Sequence, residues 1–328
     1  MSLPRIAVID DTQELALRSA DWRRLDGRAE TVVFGEPFAD EDDAARRLAG
    51  FAVVVPMRER TAFSASLVQR LPDLKLLAMT GTRAPTFDMA ALTAAGVLVC
   101  NTGINTTAAT AELAFGLLMS CARSIPVADR ALKEGSWHTG VPVGTVLDGS
   151  RLGILGLGKL GSRVAAYARA FGMEVVAWSQ NLTVEAAAAQ GVRRVEKDEL
   201  FAESDAVSLH VVLSERTRGI VGAAELAAMK PGAILVNTSR GPLVDEAALV
   251  EALREGHVRA GLDVYDREPL PAGHPLRTVP NVVLTPHLGY AAEHVFRQFY
   301  GDSVENILAW LDGAPIRVVN PEVLPGRG

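Results

Sequence analysis

Only two cysteines occur in the 328 residues, Cys100 and Cys121, too few for a disulfide framework. Both stand in apolar company, which predicts buried thiols in a reducing compartment. No Cys/His spacing suits zinc. Aromatic side chains are sparse at 5% while apolar residues reach 48%, which suits an α/β protein and excludes a disordered one. No surplus of positive charge exists: 33 basic residues face 39 acidic ones, for a net charge of −6, so a general nucleic-acid surface is not expected. No apolar run approaches the ~18 residues of a membrane span, and Met1-Ser-Leu-Pro-Arg5 lacks the apolar stretch of a signal peptide. No repeat or low-complexity segment stands out apart from the alanines at 186–189. These absences lead to the expectation of a cytoplasmic protein with neither nucleic acid nor membrane as a partner.

What is present is an alternation of short apolar runs with helical stretches, the mark of parallel sheets with crossover helices. The first half gives strands at Arg5–Asp10, Thr31–Phe34, Phe51–Val55, Leu74–Met79 and Val97–Cys100, with a helix over Ala39–Leu48. Thr106–Ala122 is apolar nearly all round, which predicts a buried helix in a domain or subunit contact. Pro126, Gly135, Gly140, Pro142, Gly144 and Gly149 then read as a loop-rich stretch. Six more strands follow, at 152–155, 174–178, 206–212, 233–237, 259–262 and 281–284, the count of a doubly wound sheet. Glu246–Arg254 is bracketed by Asp245 as N-cap and by Gly256. Glu293–Leu311 is a helix by its apolar spacing; it can return to the first domain and make that domain discontinuous.

The stretch Arg151-Leu-Gly-Ile-Leu-Gly-Leu-Gly-Lys-Leu-Gly161 runs from a strand through Gly156-x-Gly158-x-x-Gly161 into a helix. In that context each glycine has a task at a dinucleotide site. Gly156 permits the tight turn, Gly158 lets a pyrophosphate approach the backbone, and Gly161 lets helix pack on strand. The phosphates then face the N-terminus of the helix, where free N–H groups and the dipole favour an anion. The first half has no such loop. Its best binding candidate is Thr80–Asp88, which by itself also reads as an ordinary turn.

In open α/β sheets, ligands lie beyond the carboxyl ends of the strands. Three successive strands end there on Thr238-Ser-Arg240, on Asp263 followed by Glu268, and on His287. Each alone has a bland account as a surface cation, a loop acid or a capped histidine. Together they suit hydride transfer at a carbon bearing oxygen. Arg240 can hold a carboxylate and polarise the neighbouring carbonyl. His287 can move the hydroxyl proton, and Glu268 can orient its ring. Asp263 is placed to accept from a nicotinamide carboxamide.

These blocks resemble the D-isomer-specific 2-hydroxyacid dehydrogenase family. The resemblance is carried by Leu155–Gly161, Leu209-His-Val-Val-Leu-Ser-Glu-Arg-Thr-Arg-Gly219, Val236-Asn-Thr-Ser-Arg-Gly-Pro-Leu-Val-Asp245, Gly261-Leu-Asp-Val-Tyr-Asp-Arg-Glu-Pro269 and Leu284-Thr-Pro-His-Leu-Gly289. A weaker match runs from Gly96 to Glu112. The resemblance implies an α/β fold of two doubly wound parallel-sheet domains: a Rossmann-type nucleotide domain over 102–292, and a flavodoxin-like substrate domain from 1–101 and 293–328. It implies Arg240, Glu268 and His287 as the catalytic trio. It implies a cofactor, NAD or NADP, held by Gly156, Gly158, Lys159, Leu160, Gly161, Ser179, Gln180, His210, Thr238, Ser239, Asp263 and Gly289. Thr80, Gly81 and Thr82 would offer backbone N–H groups to the substrate carboxylate alongside Arg240. A homodimer through the segment after Asn101 and D stereochemistry also follow from the resemblance alone.

Two departures qualify it. NAD sites usually carry Asp or Glu at the end of the second strand, for the ribose diol. Here Trp178-Ser179-Gln180-Asn181 stands there, with Arg193 and Arg194 further along, so NADP tolerance is expected. The loop Pro56-Met-Arg-Glu-Arg-Thr61 carries Arg58 and Arg60, read as a solvated loop in preference to a site for a second anionic group. The expected function is interconversion of small 2-oxo and D-2-hydroxy acids of the glyoxylate, hydroxypyruvate or pyruvate kind. The alternatives are a cofactor-sensing, corepressor-like binding protein, or a dehydrogenase of formate or phosphite; formate enzymes of this fold carry Gln where Glu268 stands.

Overall fold

The computed structural model describes residues 3–82, 85–103 and 106–324. Arg83 and Ala84 of the Thr80–Asp88 loop, and Ile104 and Asn105 of the weaker match, lie outside the described residues. The chain divides into two compact units, one formed by 1–105 with 291–328, the other by 106–290.

The first unit is built on five parallel strands: β1 (Arg5–Val8), β2 (Glu30–Val33), β3 (Val53–Val55), β4 (Leu76–Met79) and β5 (Leu98–Asn101), in the order β2-β1-β3-β4-β5. The runs are short and apolar because central parallel strands are covered on both faces. One face packs against Leu48, Leu67, Val68 and Leu92. The helix Glu41–Leu48 starts two residues beyond the expected Ala39, because the Asp40 side chain accepts from the Asp43 amide and satisfies one of the donors a helix leaves open. The helix Glu293–Leu311 buries Val295, Phe296, Phe299, Tyr300, Val304 and Ile307 and packs on β4. Beyond it the chain runs alongside β5. Val319 N donates to Val99 O at 2.8 Å, and the Asn320 side chain holds Val99 N and Val97 O.

The second unit carries seven parallel strands, one more than the sequence pattern gives. They are β6 (Arg151–Leu155), β7 (Glu174–Trp178), β8 (Arg193–Arg194), β9 (Ala206–Leu209), β10 (Ala233–Asn237), β11 (Val258–Leu262) and β12 (Val282–Leu284), ordered β12-β11-β10-β9-β6-β7-β8. The additional strand, β8, is two arginines long and sits at the sheet edge. An edge strand needs no apolar face, so no apolar pattern marked it. The chain winds outward from β6 to β8, then returns to lay β9 on the other side of β6. The crevice where strand order reverses is therefore at β6 and β9.

Two further expectations change. The Thr107–Arg123 helix is buried, but against its own sheet: it packs on β10, β11 and the Lys159–Ala170 helix. Gly261 in β11 makes room for it, since a Cβ there would lie 2.9 Å from Leu117 Cβ. The stretch after Ser124 opens not as a loop but as a helix, Ile125–Lys133, with Pro126 in its first turn, where a missing N–H costs nothing. No residue of that helix is buried.

Register fixes the upper rim of the seven-stranded sheet. Trp178 pairs with Leu155, Leu155 with Leu209, Leu209 with Asn237, Asn237 with Leu262, and Leu262 with Leu284. The next residue on each strand is thus Ser179, Gly156, His210, Thr238, Asp263 and Thr285, a single row along the carboxyl edge.

Candidate active site

The glycine turn is tight at two points. Gly156 has φ +102°, and a Cβ on it would lie 2.8 Å from the His210 carbonyl group. A Cβ on Gly161 would lie 2.1 Å from Gly156 O, so the Lys159–Ala170 helix can sit this close to β6 only with glycine there. At Gly158 the reverse holds: nothing lies within 4 Å of where its Cβ would be. Gly158 is the N-cap of that helix, and no side chain caps it. Lys159 is exposed and Leu160 half-buried in its first turn. An open backbone cradle at a helix start with an uncapped positive end fits a pyrophosphate.

Along the same rim two buried polar atoms have no protein partner, His210 Nδ1 and Thr238 Oγ1. The His210 Nε2 is bonded to Ser208 Oγ at 2.8 Å, and burial pulls the ring's pKa down to about 3, so His210 is a neutral imidazole and no acid. Ser239 is held by its backbone and side chain, to Asn237 Oδ1 and Leu209 O. Ser179 is half-buried and Gln180 exposed beyond β7. Polar atoms orphaned beside a dinucleotide-type turn are what a bound dinucleotide would satisfy.

On the other flank, the exits of β10, β11 and β12 are tied together. Asn237 Nδ2 donates to Arg240 O at 2.9 Å, and Arg240 Nη1 donates to Ser239 O at 2.7 Å. Gly241 presses its backbone on the next exit loop, for a Cβ there would lie 2.0 Å from the Tyr265 carbonyl carbon. Tyr265 N donates to Glu268 Oε1 at 3.0 Å, and Tyr265 Oη to Thr285 O at 2.8 Å. Glu268 Oε2 lies 2.6 Å from His287 Nδ1. Burial by itself would raise the Glu268 carboxyl, but the hydrogen bond and charge of His287, the Tyr265 amide and the Arg240 guanidinium outweigh it and hold the group below its usual range. Arg240, Glu268 and His287 are thus brought together within electrostatic reach on one rim. An ionised carboxylate only accepts, so Nδ1 carries a hydrogen and Nε2 is the nitrogen left to move a proton.

Asp263, expected to accept from a carboxamide, already serves three donors of its own unit. It is fully buried, with Oδ1 accepting from Thr285 Oγ1 and Leu288 N at 2.6 and 2.7 Å and Oδ2 from Gly289 N at 2.8 Å. Its backbone oxygen accepts from His287 N at 2.9 Å. Burial pushes its carboxyl pKa up against the pull of these donors. Asp263 therefore pins the turn in which His287 adopts φ +54°, a left-handed conformation costly for a residue with a Cβ. Gly289 is likewise internal: its N–H serves Asp263 and its oxygen accepts from Thr110 Oγ1. Asn237, Gly241, Tyr265 and Thr285 were not singled out from sequence; the signal available was their place inside the recognised blocks.

In the first unit, the Gly81 amide has a taker within the protein. The Gly81 amide donates to Thr102 Oγ1 at 2.7 Å, and Thr80 Oγ1 donates to Pro56 O while accepting from Arg58 N. Both residues are buried and Thr82 is exposed. Of the two arginines read as a solvated loop, Arg60 is exposed and Arg58 is half-buried. Arg58 has only 22% of its side chain exposed and lies over Gly81, and Arg60 Nη1 donates to Asp10 O at 3.0 Å.

A doubly wound sheet with a glycine turn and an acid-bound imidazole on one rim is the frame of a dinucleotide-dependent oxidoreductase. Comparison with known proteins narrows this. Residues 115–289 match the family described as "D-isomer specific 2-hydroxyacid dehydrogenase, NAD binding domain". The chain is 34% identical over 314 residues to D-3-phosphoglycerate dehydrogenase of Archaeoglobus fulgidus, covering 95% of this chain and 58% of that protein. It is 38% identical over 270 residues to glyoxylate reductase of Aeropyrum pernix, covering 80% and 81%. The solved phosphoglycerate oxidoreductase of Vibrio cholerae superposes with a TM-score of 0.89 at 36% identity, covering 95% of this chain and all of that one. The chain belongs to the D-isomer specific 2-hydroxyacid dehydrogenase family and carries that family's NAD-binding domain.

Proposed function

We propose that the chain interconverts small 2-oxo acids and D-2-hydroxy acids, of glyoxylate, hydroxypyruvate or pyruvate size, with NAD(H) or NADP(H). The observation that carries this reading is the 2.6 Å bond between His287 and Glu268 beside Arg240, on the rim that also bears the Gly156–Gly161 turn. When bound, the nicotinamide supplies or receives the hydride. In the reductive direction Arg240 grips the substrate carboxylate and draws electron density toward the carbonyl oxygen. His287 gives its Nε2 proton to that oxygen; in the oxidative direction Nε2 takes it back. Glu268, ionised, accepts from Nδ1 and keeps the ring oriented, leaving Nε2 toward the substrate. Asp263 holds the His287 turn in place.

A homodimer in the cytoplasm belongs to the same reading. Ile125, Val127, Leu132, Trp137, Val143 and Val146 are exposed apolar side chains within one stretch of 22 residues. Such clustering supports a contact between copies. Among the described residues no single helix is long and apolar enough to cross a membrane. Burial raises the Cys100 and Cys121 thiols to about 11 and about 12, so both are unreactive, as suits free thiols in a reducing compartment.

The test is oxidation of NADH and NADPH over a panel of 2-oxo acids including glyoxylate, hydroxypyruvate, pyruvate and a phosphorylated member. Substrate-dependent oxidation with at least one acid is expected. None with either cofactor, alongside intact nucleotide binding, overturns the catalytic reading in favour of a cofactor-sensing binding protein. Sedimentation should give twice the chain mass.

A further inference from the structure

The far flank of the rim, at β7 and β8, carries a feature that decides which nucleotide fits. From Ser179 to Thr183 the chain beyond β7 holds no charge at all. A carboxylate at this place would bind a ribose diol and repel a phosphate on the 2′-oxygen. Leu182 N donates to Ser179 O at 3.1 Å and closes the segment into a turn. Arg194, on the neighbouring strand, pairs in register with Ala177, two residues short of Ser179. Strands rise about 3.3 Å per residue, so an extended arginine spans that offset. It does: Arg194 Nε donates to Leu182 O at 3.1 Å, which puts the guanidinium against the turn itself.

We propose that Arg194 reads the 2′-phosphate of NADP, making it the residue through which this chain prefers the 2′-phosphorylated cofactor. The inference rests on the dinucleotide site proposed above. Arg194 has one present partner besides Leu182 O, Glu196 Oε1 at 2.6 Å. The Glu196 side chain is 71% exposed against 26% for Arg194. An ion pair with so exposed a partner is weak and screened, and a doubly charged phosphate accepting a fork from the guanidinium displaces it readily. The other acid near in sequence, Glu185, follows the turn in the first turn of the next helix. Arg193 is spoken for elsewhere: its guanidinium bonds Glu199 at 2.8 Å and Glu174 at 3.5 Å. Neighbouring arginines on one short strand thus have different work, and only Arg194 meets the turn.

Nucleotide binding tests this without any substrate. Titration calorimetry, seconded by Trp178 fluorescence, compares adenosine 2′,5′-bisphosphate with 5′-AMP, which differ only in the 2′-phosphate. The unsubstituted protein is expected to bind the bisphosphate more tightly. Arg194→Gln should weaken the bisphosphate by about tenfold or more, the loss of a charge-assisted fork, with AMP little changed. Glu196→Gln, which removes the competitor, should tighten the bisphosphate; a merely structural ion pair would not give that gain. Arg193→Gln should leave the ratio of the two affinities unchanged. Equal weakening of both nucleotides by Arg194→Gln, or no weakening of either, overturns the assignment. If the unsubstituted protein binds AMP but not the bisphosphate, the assignment falls and the dinucleotide site stands. If it binds neither, both fall together.

Discussion

The two parallel sheets end in rims of opposite character. In the five-stranded sheet several groups at the carboxyl edge answer one another. Thr61 Oγ1 donates to Asp10 Oδ2, Arg60 to Asp10 O, Thr80 to Pro56 O, and the Gly81 amide to Thr102. In the seven-stranded sheet the edge leaves a backbone cradle open at Gly158 and buried atoms of His210 and Thr238 without protein partners. Unmet polar groups are costly in a folded protein, and a rim that retains them is shaped for something that is not protein. Same architecture, different accounts of the hydrogen bonds: among the described residues, the second rim keeps polar groups open where a dinucleotide would sit.

Substitutions on the two rims should act differently. The largest effect is expected from His287→Ala or Arg240→Ala. Turnover should fall by a factor of about 10²–10⁴, the usual worth of a positioned acid–base group, while circular dichroism and the melting temperature stay near those of the parent. Activity retained in both would remove the trio. Next comes Gly161→Ala, whose methyl would stand 2.1 Å from Gly156 O. Denaturant melts should show a loss of about 1–3 kcal/mol from overpacking, together with loss of AMP binding. Asp263→Asn places an amide group among three donors, and a loss of about 1–3 kcal/mol is expected, with kcat reduced through the His287 turn rather than KM raised. A stable, fully active Asp263→Asn protein would deny the pinning role.

A milder effect concerns pH. The half-buried His210 has its pKa lowered from 6.5 to about 3 by the loss of water around its ring. The unfolded chain therefore binds a proton that the folded protein refuses as pH falls below 6.5. Stability should decline with acid across that window and level off near 3. Equilibrium melts of His210→Gln across the window should show a flatter profile, whereas an unchanged slope would mean another group is responsible. Smallest is Thr80→Val in the five-stranded rim. It should cost about 1 kcal/mol in melts for its lost bonds to Pro56 and Arg58, with nucleotide affinity unaltered.

What the sequence made legible was what repeats a local rule. Apolar runs marked the buried strands, Asp245 announced a helix start, and the three glycines stood in strand-turn-helix context. The Arg240, Glu268 and His287 set was readable because parallel strands deliver their following residues to one edge. Illegible was whatever depends on a partner distant in sequence. β8 carries two arginines and no pattern, for it is an edge. The Ile125–Lys133 helix hid behind Pro126 because it buries nothing that would impose a stripe. Nothing local shows that Thr285, Leu288 and Gly289 fold back onto Asp263. The Gly81 amide seemed available because its taker, Thr102, lies 21 residues on.

The shared register of the second sheet has an engineering corollary. Adenosine recognition is proposed at the β7–β8 edge and proton transfer at the β10–β12 edge, with β6 and β9 standing rigid in the middle. The segment from Ser179 to Glu196 is accordingly a portable cassette. Exchanging it for the equivalent segment of a relative should swap coenzyme taste while the machinery at Arg240, Glu268 and His287 is left untouched.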